Sequence, residues 1–139
     1  MTHAAETFAA FAHGLSPATI PVAVRERVAL HTLDTLGCAL ASADADWAGA
    51  VLDPLLRWGG GGNASVAGQS QRVAAPMAAL ANGALAHGHD FDDTHAPSIT
   101  HASAVVLPAV LSLAEEGGLD GREAIAAVDR LVALTGGRP

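Results

Sequence analysis

The sequence has no lysine, no tyrosine and a single cysteine among its 139 residues. Its seven arginines face 14 acidic residues, which gives a formal net charge of −7 at pH 7. Because no basic cluster is present, the chain lacks the kind of surface that binds nucleic-acid backbones or anionic lipids. We therefore expect neither nucleic acid nor a membrane among its partners.

The sequence also lacks the signals of membrane insertion and secretion. No apolar run approaches the roughly 20 residues of a membrane-spanning helix. The N-terminal segment MTHAAETFAAFAHGL has neither the basic start nor the cleavage pattern of a signal peptide, so we expect a cytoplasmic protein. Cys38 has no partner for an internal disulfide, and its neighbours in LGCALA are apolar. It is therefore predicted to be a reduced, structural residue and not a nucleophile.

Half of the chain is hydrophobic, largely as alanine, leucine and valine, whereas aromatic residues make up only 4%. This composition suffices for one globular domain with its own core, and abundant small residues suit helices that approach each other closely. We predict an all-α helical bundle that forms a single domain over residues 1–139. The helices predicted from apolar spacing and from proline and glycine signals are 4–13, 22–41, 47–58, 77–87, 104–116 and 121–135.

The helix at 22–41 has a continuous apolar side. Its members recur at spacings of seven, three, four and three residues, and they are Ala23, Leu30, Leu33, Gly37 and Leu40. These spacings place the five residues on one side of an α-helix. Because such a side is typical of a helix that packs in a core, we predict that it is buried.

Polar residues, proline and glycine predict how the middle of the chain is arranged. Asp44 or Asp46 is expected to cap the third helix, and Pro54 is expected to kink that helix or end it early. Four consecutive glycines at residues 59–62 predict a flexible loop. The segment 63–68 that follows is the only stretch that predicts a strand.

Similar signals mark the later helices. Pro76 is expected to open the fourth helix. Gly83 lies within it, where glycine costs about 1 kcal/mol relative to alanine, so we expect another backbone to pack closely there. The residues expected to point inward are Met77, Leu80 and Ala84. Asp120 and Glu123 form a D-x-x-E capping signal for the last helix.

Titratable side chains concentrate between residues 87 and 101. This segment holds four of the seven histidines and three aspartates, namely His87, His89, His95, His101, Asp90, Asp92 and Asp93. Such side chains are ligands for divalent cations, and they can also exchange protons near neutral pH. A third interpretation is structural, with the aspartates and Thr94 capping a helix end and the histidines in solvent. The spacing alone leaves all three interpretations open.

The motif ANGALAHGHDFDDTH, followed by a histidine and by the segments VVLPA and LAEEGGLDGRE, resembles the signature of the MmgE/PrpD family. The segments LHTLDTLGCALA and NASVAG stand in the family's order and spacing, so the similarity extends over most of the chain. Members of this family include dehydratases and decarboxylases that act on acids such as 2-methylcitrate and cis-aconitate. The resemblance implies a lyase for a small di- or tricarboxylic acid.

The resemblance also implies an architecture and a set of site residues. In the family, an all-helical N-terminal domain is followed by a smaller lid domain, dimers are usual, and most members use neither a metal nor an organic cofactor. The implied catalytic residues are His101 as the acid–base group and Asp90 and Thr94, which place the substrate or a partner side chain. The implied substrate-binding residues are Asp93, His95 and Ser103.

Two features distinguish this chain from its relatives. His101 is followed by Ala-Ser where relatives commonly have Pro-Ser, and the lysines and the lid segments are absent. We therefore expect a truncated or incomplete form whose site is finished by a homo-oligomeric partner or by a completing chain. The alternatives are a noncatalytic helical interaction module or degenerate paralogue, and a metal-dependent hydrolase that uses His87, His89 and Asp93.

Overall fold

The computed structural model of the chain describes residues 18–134, preceded by residues 3, 6, 7, 10, 11 and 14, and its side chains are described up to residue 127. The helix predicted at residues 4–13 falls largely outside this part. The described elements are α1 Val22–Ser42, α2 Ala48–Trp58, β1 Ala64–Ser65, β2 Arg72–Val73, α3 Ala75–His87, α4 Ala102–Gly117 and α5 Gly121–Leu134. The prediction of an all-α fold is confirmed. None of these helices is long and apolar enough to cross a membrane.

Helix α3 is the central element, and it packs against α4, α1 and α2. Small residues on α3 allow this close approach. The buried residues of α3 are four alanines and one leucine, namely Ala75, Ala78, Ala81, Ala86 and Leu85. A Cβ atom added to Gly83 would lie 3.1 Å from the carbonyl oxygen of Ala104 on α4. This contact confirms that Gly83 permits another backbone to pack closely, which compensates for its low helix propensity.

Strands β1 and β2 form a short antiparallel hairpin in which Ala64 lies opposite Val73. The strand predicted within residues 63–68 is confirmed for Ala64–Ser65, whereas β2 was not predicted. Asn82 of α3 holds the hairpin because its side-chain amide donates to the Ser65 carbonyl and accepts from the Ala67 N–H, each at 2.8 Å. Glu115 of α4 accepts hydrogen bonds from the Ser65 N–H at 2.6 Å and the Ser65 hydroxyl at 2.8 Å. Both helices therefore fix the position of β1.

The prediction for the buried face of α1 is wrong. Leu30, Leu33 and Leu40 are 58%, 69% and 57% exposed, and Ala23 and Gly37 on the same face are also exposed. The buried residues of α1 are Val28, Thr35, Ala39 and Ser42. Small side chains let this second face approach α3, so close packing determines the orientation of α1. The leucine face remains uncovered in the described part of the chain.

Several details of α2 and α3 also differ from the predictions. Helix α2 begins after Trp47 without a side-chain cap, so neither Asp44 nor Asp46 caps it. Pro54 lies inside α2, and the helix continues to its end at Trp58. On α3, Leu80 is 59% exposed and does not point inward. The helix starts were predicted better than their orientations, because proline and glycine signals are local and packing is not.

The glycine loop after α2 is more closely packed than a flexible loop would be. The carbonyl of Gly59 accepts a hydrogen bond from the Ala74 N–H at 3.1 Å. A Cβ atom on Gly62 would overlap the Val73 carbonyl and the Ala74 backbone, whereas one on Gly61 would meet no atom within 4 Å. Gly62 therefore lets the end of the glycine loop lie directly against the segment that leads into α3.

The ends of α4 and α5 follow the sequence signals. Gly118 caps α4 in the left-handed conformation, with φ of 64°, one residue after the predicted Gly117. Asp120 accepts hydrogen bonds from the N–H groups of Arg122 and Glu123 at 2.8 and 2.9 Å, and Glu123 accepts from the Asp120 N–H at 2.9 Å. This reciprocal capping box confirms the predicted start of α5.

Candidate active site

The titratable cluster occupies the loop that joins α3 to α4. Helix α3 ends at His87, and His101 is the residue that precedes α4. The two imidazole rings meet edge to face, with centroids 4.8 Å apart and planes inclined by 61°. Within the loop, the His95 N–H donates to the Thr100 carbonyl at 2.9 Å, which brings the two ends of the segment 95–100 together.

Asp92 lies between the two rings and is the only buried carboxylate in the described part of the chain. Its Oδ1 atom is 3.0 Å from His87 Nδ1, and its Oδ2 atom is 3.4 Å from His101 Nδ1. The side chain of Asp92 has no exposed surface, whereas that of His101 is 24% exposed. A carboxylate in such a place needs hydrogen-bond donors, and in the described part of the chain only Oδ1 has a partner, His87 Nδ1.

The three predicted catalytic residues come together around His101. Asp90 Oδ1 is 3.8 Å from His101 Nε2, and the Asp90 side chain is largely exposed. Thr94 Oγ1 is 3.5 Å from His101 Nδ1, at the outer limit of a hydrogen bond. Asp90 adopts a positive φ of 53°, an uncommon conformation that aspartate tolerates better than most residues. The loop therefore turns sharply where it presents this carboxylate.

The three predicted substrate-binding residues are placed differently. Asp93 accepts a hydrogen bond from the Ser103 N–H at 3.1 Å, near the start of α4, and its other oxygen is 3.8 Å from His31 Nδ1. Ser103 is itself buried. His95 is exposed, and its Nδ1 atom is 2.7 Å from the Ser98 hydroxyl. In this arrangement, Asp93 and Ser103 tie the loop to α4, which is a structural contact.

A cavity of about 420 Å³ opens next to the cluster. Its lining residues are Asp34, Gly37, Cys38 and Ala41 of α1 and His89 and Phe91 of the loop. Burial, together with the nearby charges of Asp34 and Asp92, raises the pKa of the Cys38 thiol. This direction agrees with the prediction that Cys38 is not a nucleophile, because the thiolate is the reactive form. The volume is in the range of small-molecule pockets.

One group of side chains in the described part could hold a metal ion. The donor atoms of His87, Asp90, Asp92 and His101 all lie within 4.8 Å of one another, and imidazole and carboxylate donors suit zinc or manganese. The predicted hydrolase set is not assembled. His89 is turned to the carbonyl of Ala41, at 3.4 Å, and Asp93 contacts Ser103 and His31. The interpretation as a hydrolase centre built on His87, His89 and Asp93 is therefore wrong.

Two residues of the cluster, His87 and Asp92, were not predicted as catalytic or substrate-binding residues. Asp92 is one of three aspartates in D-F-D-D, and the sequence has no local signal for which of them turns inward. Alternation places Asp90 and Asp92 on the same side of an extended segment, but the sharp turn at Asp90 removes that relationship. His87 was predicted only as the end of a helix and as a metal ligand in the hydrolase alternative, because its contact with Asp92 depends on the path of the loop.

These observations define a class of structure. It is a helical domain in which the loop between two packed helices brings histidines and aspartates together. The chain belongs to the MmgE/PrpD family, since the sequence model of the MmgE/PrpD N-terminal domain matches residues 6–129. The chain is also similar to the human (Homo sapiens) cis-aconitate decarboxylase, with 33% identity over 111 residues. That match covers 79% of this chain and 23% of the relative, so the chain spans about a quarter of the curated relative's length.

Proposed function

We propose that this chain supplies part of the active site of a lyase that removes water or carbon dioxide from a small di- or tricarboxylic acid such as 2-methylcitrate or cis-aconitate. The observation that carries the proposal is the position of His101, between the buried carboxylate of Asp92 and the exposed carboxylate of Asp90. Membership of the MmgE/PrpD family and the similarity to a cis-aconitate decarboxylase support this reaction class.

The chemistry of both reactions needs a group that can accept and donate protons. In a dehydration, a base removes a proton from the carbon beside a carboxylate, and an acid protonates the hydroxyl group that leaves as water. In a decarboxylation, the C–C bond to the carboxylate breaks, carbon dioxide leaves, and an acid delivers a proton to the carbon. His101 is assigned this role because imidazole exchanges protons near neutral pH. Asp90 and Thr94 are assigned to place the substrate or His101.

The charges of the cluster indicate that more groups are needed to bind such a substrate. A di- or tricarboxylate requires cationic groups, and the sequence has no lysine. Arg72 does not serve the cluster, since it pairs with Glu115 at 3.8 Å and also donates to the Asn63 carbonyl. We propose that a homo-oligomeric partner or a completing chain contributes the missing cations.

The uncovered face of α1 favours a second candidate function, a noncatalytic interaction module. Leu30, Leu33 and Leu40 form an exposed apolar stripe, and such stripes commonly mark contact surfaces. The same stripe would also serve a completing chain in the lyase, so exposure does not separate the two functions. Activity separates them.

The test is an assay of the completed enzyme, in which residues 1–139 are joined to the remaining segments of the family's architecture or to a completing chain. Formation of the unsaturated product from 2-methylcitrate and release of carbon dioxide from cis-aconitate are measured, and related acids are then tried. Turnover of one of these acids by the completed enzyme, with little or none by the 139-residue chain alone, supports the lyase. A folded, completed protein without turnover of any small polycarboxylate would favour the noncatalytic module.

A further inference from the structure

The carboxylate of Asp92 contacts imidazoles and serves no helix cap. Its Oδ1 atom lies 3.0 Å from His87 Nδ1 and its Oδ2 atom 3.4 Å from His101 Nδ1. The N–H group at the start of α4 is bound by the neighbouring Asp93 instead. In the described part of the chain, Asp92 Oδ2 is buried and has no hydrogen-bond partner at normal distance. The ring nitrogens that face the two carboxylate oxygens of Asp92 are therefore His87 Nδ1 and His101 Nδ1.

We propose that Asp92 is a positioning residue that holds both imidazoles with the proton on Nδ1. An ionised carboxylate can only accept hydrogen bonds, so each ring nitrogen facing it must carry the proton. The Nε2 atom of each neutral ring is then free to accept a proton. This inference rests on the proposed lyase function, in which His101 Nε2 is the atom that exchanges the proton.

The free-energy cost of a buried, unpaired carboxylate oxygen favours a hydrogen-bond donor at each oxygen of Asp92. A buried polar atom without a partner costs roughly 1–3 kcal/mol, and a carboxylate oxygen costs more. The distance of 3.4 Å between Asp92 Oδ2 and His101 Nδ1 exceeds an ordinary hydrogen bond by a few tenths of an ångström, so the proposed bond requires the His101 ring to move closer. Catalytic hydrogen bonds are often long before substrate binds and shorten in the complex.

Fixing the tautomer has a direct consequence for His101. Its Nε2 atom lies 3.8 Å from Asp90 Oδ1, on the side where the loop is exposed. When Nε2 accepts a proton, the ring becomes positively charged, and the buried carboxylate at Nδ1 stabilises that charge. Asp92 therefore acts through His101 and does not need to touch the substrate.

The primary test is nuclear magnetic resonance of the chelator-treated 139-residue chain labelled with ¹⁵N in its histidine rings. Spectra are recorded in alkaline buffer, where the rings are neutral, and the signals are assigned by their loss in His87→Gln and His101→Gln. The couplings between ring nitrogens and ring protons show which nitrogen carries the proton. The proposal predicts the Nδ1–H form for His87 and His101. An Nε2–H form of His101 in the unmodified chain would overturn it.

The substitution Asp92→Asn supplies a second arm. Asparagine keeps the shape but has one acceptor oxygen, so at most one ring can keep its Nδ1–H contact. We expect His87 or His101 to change to the Nε2–H form, whereas the control Asp53→Asn, at an exposed position on α2, changes neither. Retention of Nδ1–H by both rings in a folded Asp92→Asn chain would overturn the proposal. If the variant does not fold, the unmodified chain still decides the question.

In the completed enzyme, Asp92→Asn should lower kcat about tenfold or more with little change in KM, because the residue acts on proton transfer and not on substrate binding. Unchanged kcat would overturn the positioning role. The two proposals can fail separately. If the enzyme turns over substrate but His101 is in the Nε2–H form, the lyase proposal stands and the proposed role of Asp92 fails. If both rings are in the Nδ1–H form but no acid is turned over, the proposed role of Asp92 stands and the lyase proposal fails.

Discussion

The rings of His87 and His101 lie edge to face with centroids 4.8 Å apart, although the two residues belong to opposite ends of a loop. His87 is the last residue of α3, and His101 directly precedes α4. The separation of the rings therefore depends on how closely these helices pack. Gly83 and Ala104 allow that close approach one turn away from the cluster. The small residues of α3 thus contribute to the geometry of the site as well as to the core.

Asp90 combines a charge with a left-handed backbone, and substitutions can separate the two. Asparagine and glycine both accept a positive φ, so Asp90→Asn and Asp90→Gly should leave the free energy of unfolding within about 0.5 kcal/mol of the unmodified value. Both remove the carboxylate near His101, and we expect kcat/KM of the completed enzyme to fall about tenfold or more. Thermal unfolding and steady-state kinetics measure the two effects. Unaltered kinetics in both variants would show that the charge is not needed.

Gly62 and Gly61 provide a matched pair for stability. A Cβ atom at Gly62 would overlap the backbone of Val73 and Ala74, whereas Gly61 has open space. We expect Gly62→Ala to lower the free energy of unfolding by about 1–3 kcal/mol, as overpacking does, and Gly61→Ala to change it by less than about 1 kcal/mol. Urea denaturation followed by circular dichroism measures both. Equal effects at the two positions would contradict the close packing of the loop.

Cys38 should react slowly with alkylating reagents. Burial and the charges of Asp34 and Asp92 raise the pKa of its thiol, so the thiolate fraction at pH 8 is smaller than that of an ordinary cysteine. The rate of reaction with iodoacetamide should therefore begin to rise at a higher pH in the folded chain than in the urea-unfolded chain. Asp34→Asn removes one of the charges and should shift the profile back toward lower pH. Coincident profiles for the folded and unfolded chains would contradict this account.

We predict that the completed enzyme does not require a metal ion. The imidazole nitrogens that face Asp92 can satisfy its oxygens as N–H donors. Chelator-washed enzyme should therefore keep its turnover, which elemental analysis and a kinetic assay check together. Stoichiometric zinc or manganese that survives washing and is lost with His87→Ala would contradict the prediction and favour a metal centre on His87, Asp90, Asp92 and His101.

Local sequence signals predicted much of the fold. Pro21 before α1, Pro76 in the first turn of α3 and the capping box at Asp120 and Glu123 act within a few residues, so the starts of these elements could be predicted directly. The face of α1 that is buried could not be predicted from such local signals. Leu33 lies on an apolar stripe, and Ala39 lies on a second face of small residues, so periodicity alone does not decide which face packs against α3.

The candidate site was predicted in part, for a similar reason. The family signature pointed to Asp90, Thr94 and His101, and the loop brings these side chains together. It did not indicate that Asp92 is the aspartate that turns inward. That choice depends on the positive φ of Asp90 and on the separation of the two helices, which are properties of the folded loop and not of residue spacing.

The central claim is that His101 transfers the proton in a lyase reaction, and His101→Ala in the completed enzyme tests it most directly. Turnover of 2-methylcitrate or cis-aconitate should fall roughly a hundredfold or more, the usual contribution of a placed acid or base. His3→Ala and His13→Ala, which lie outside the motif, serve as controls and should retain activity. Circular dichroism verifies that each variant is folded. Full turnover by a folded His101→Ala enzyme would contradict the account.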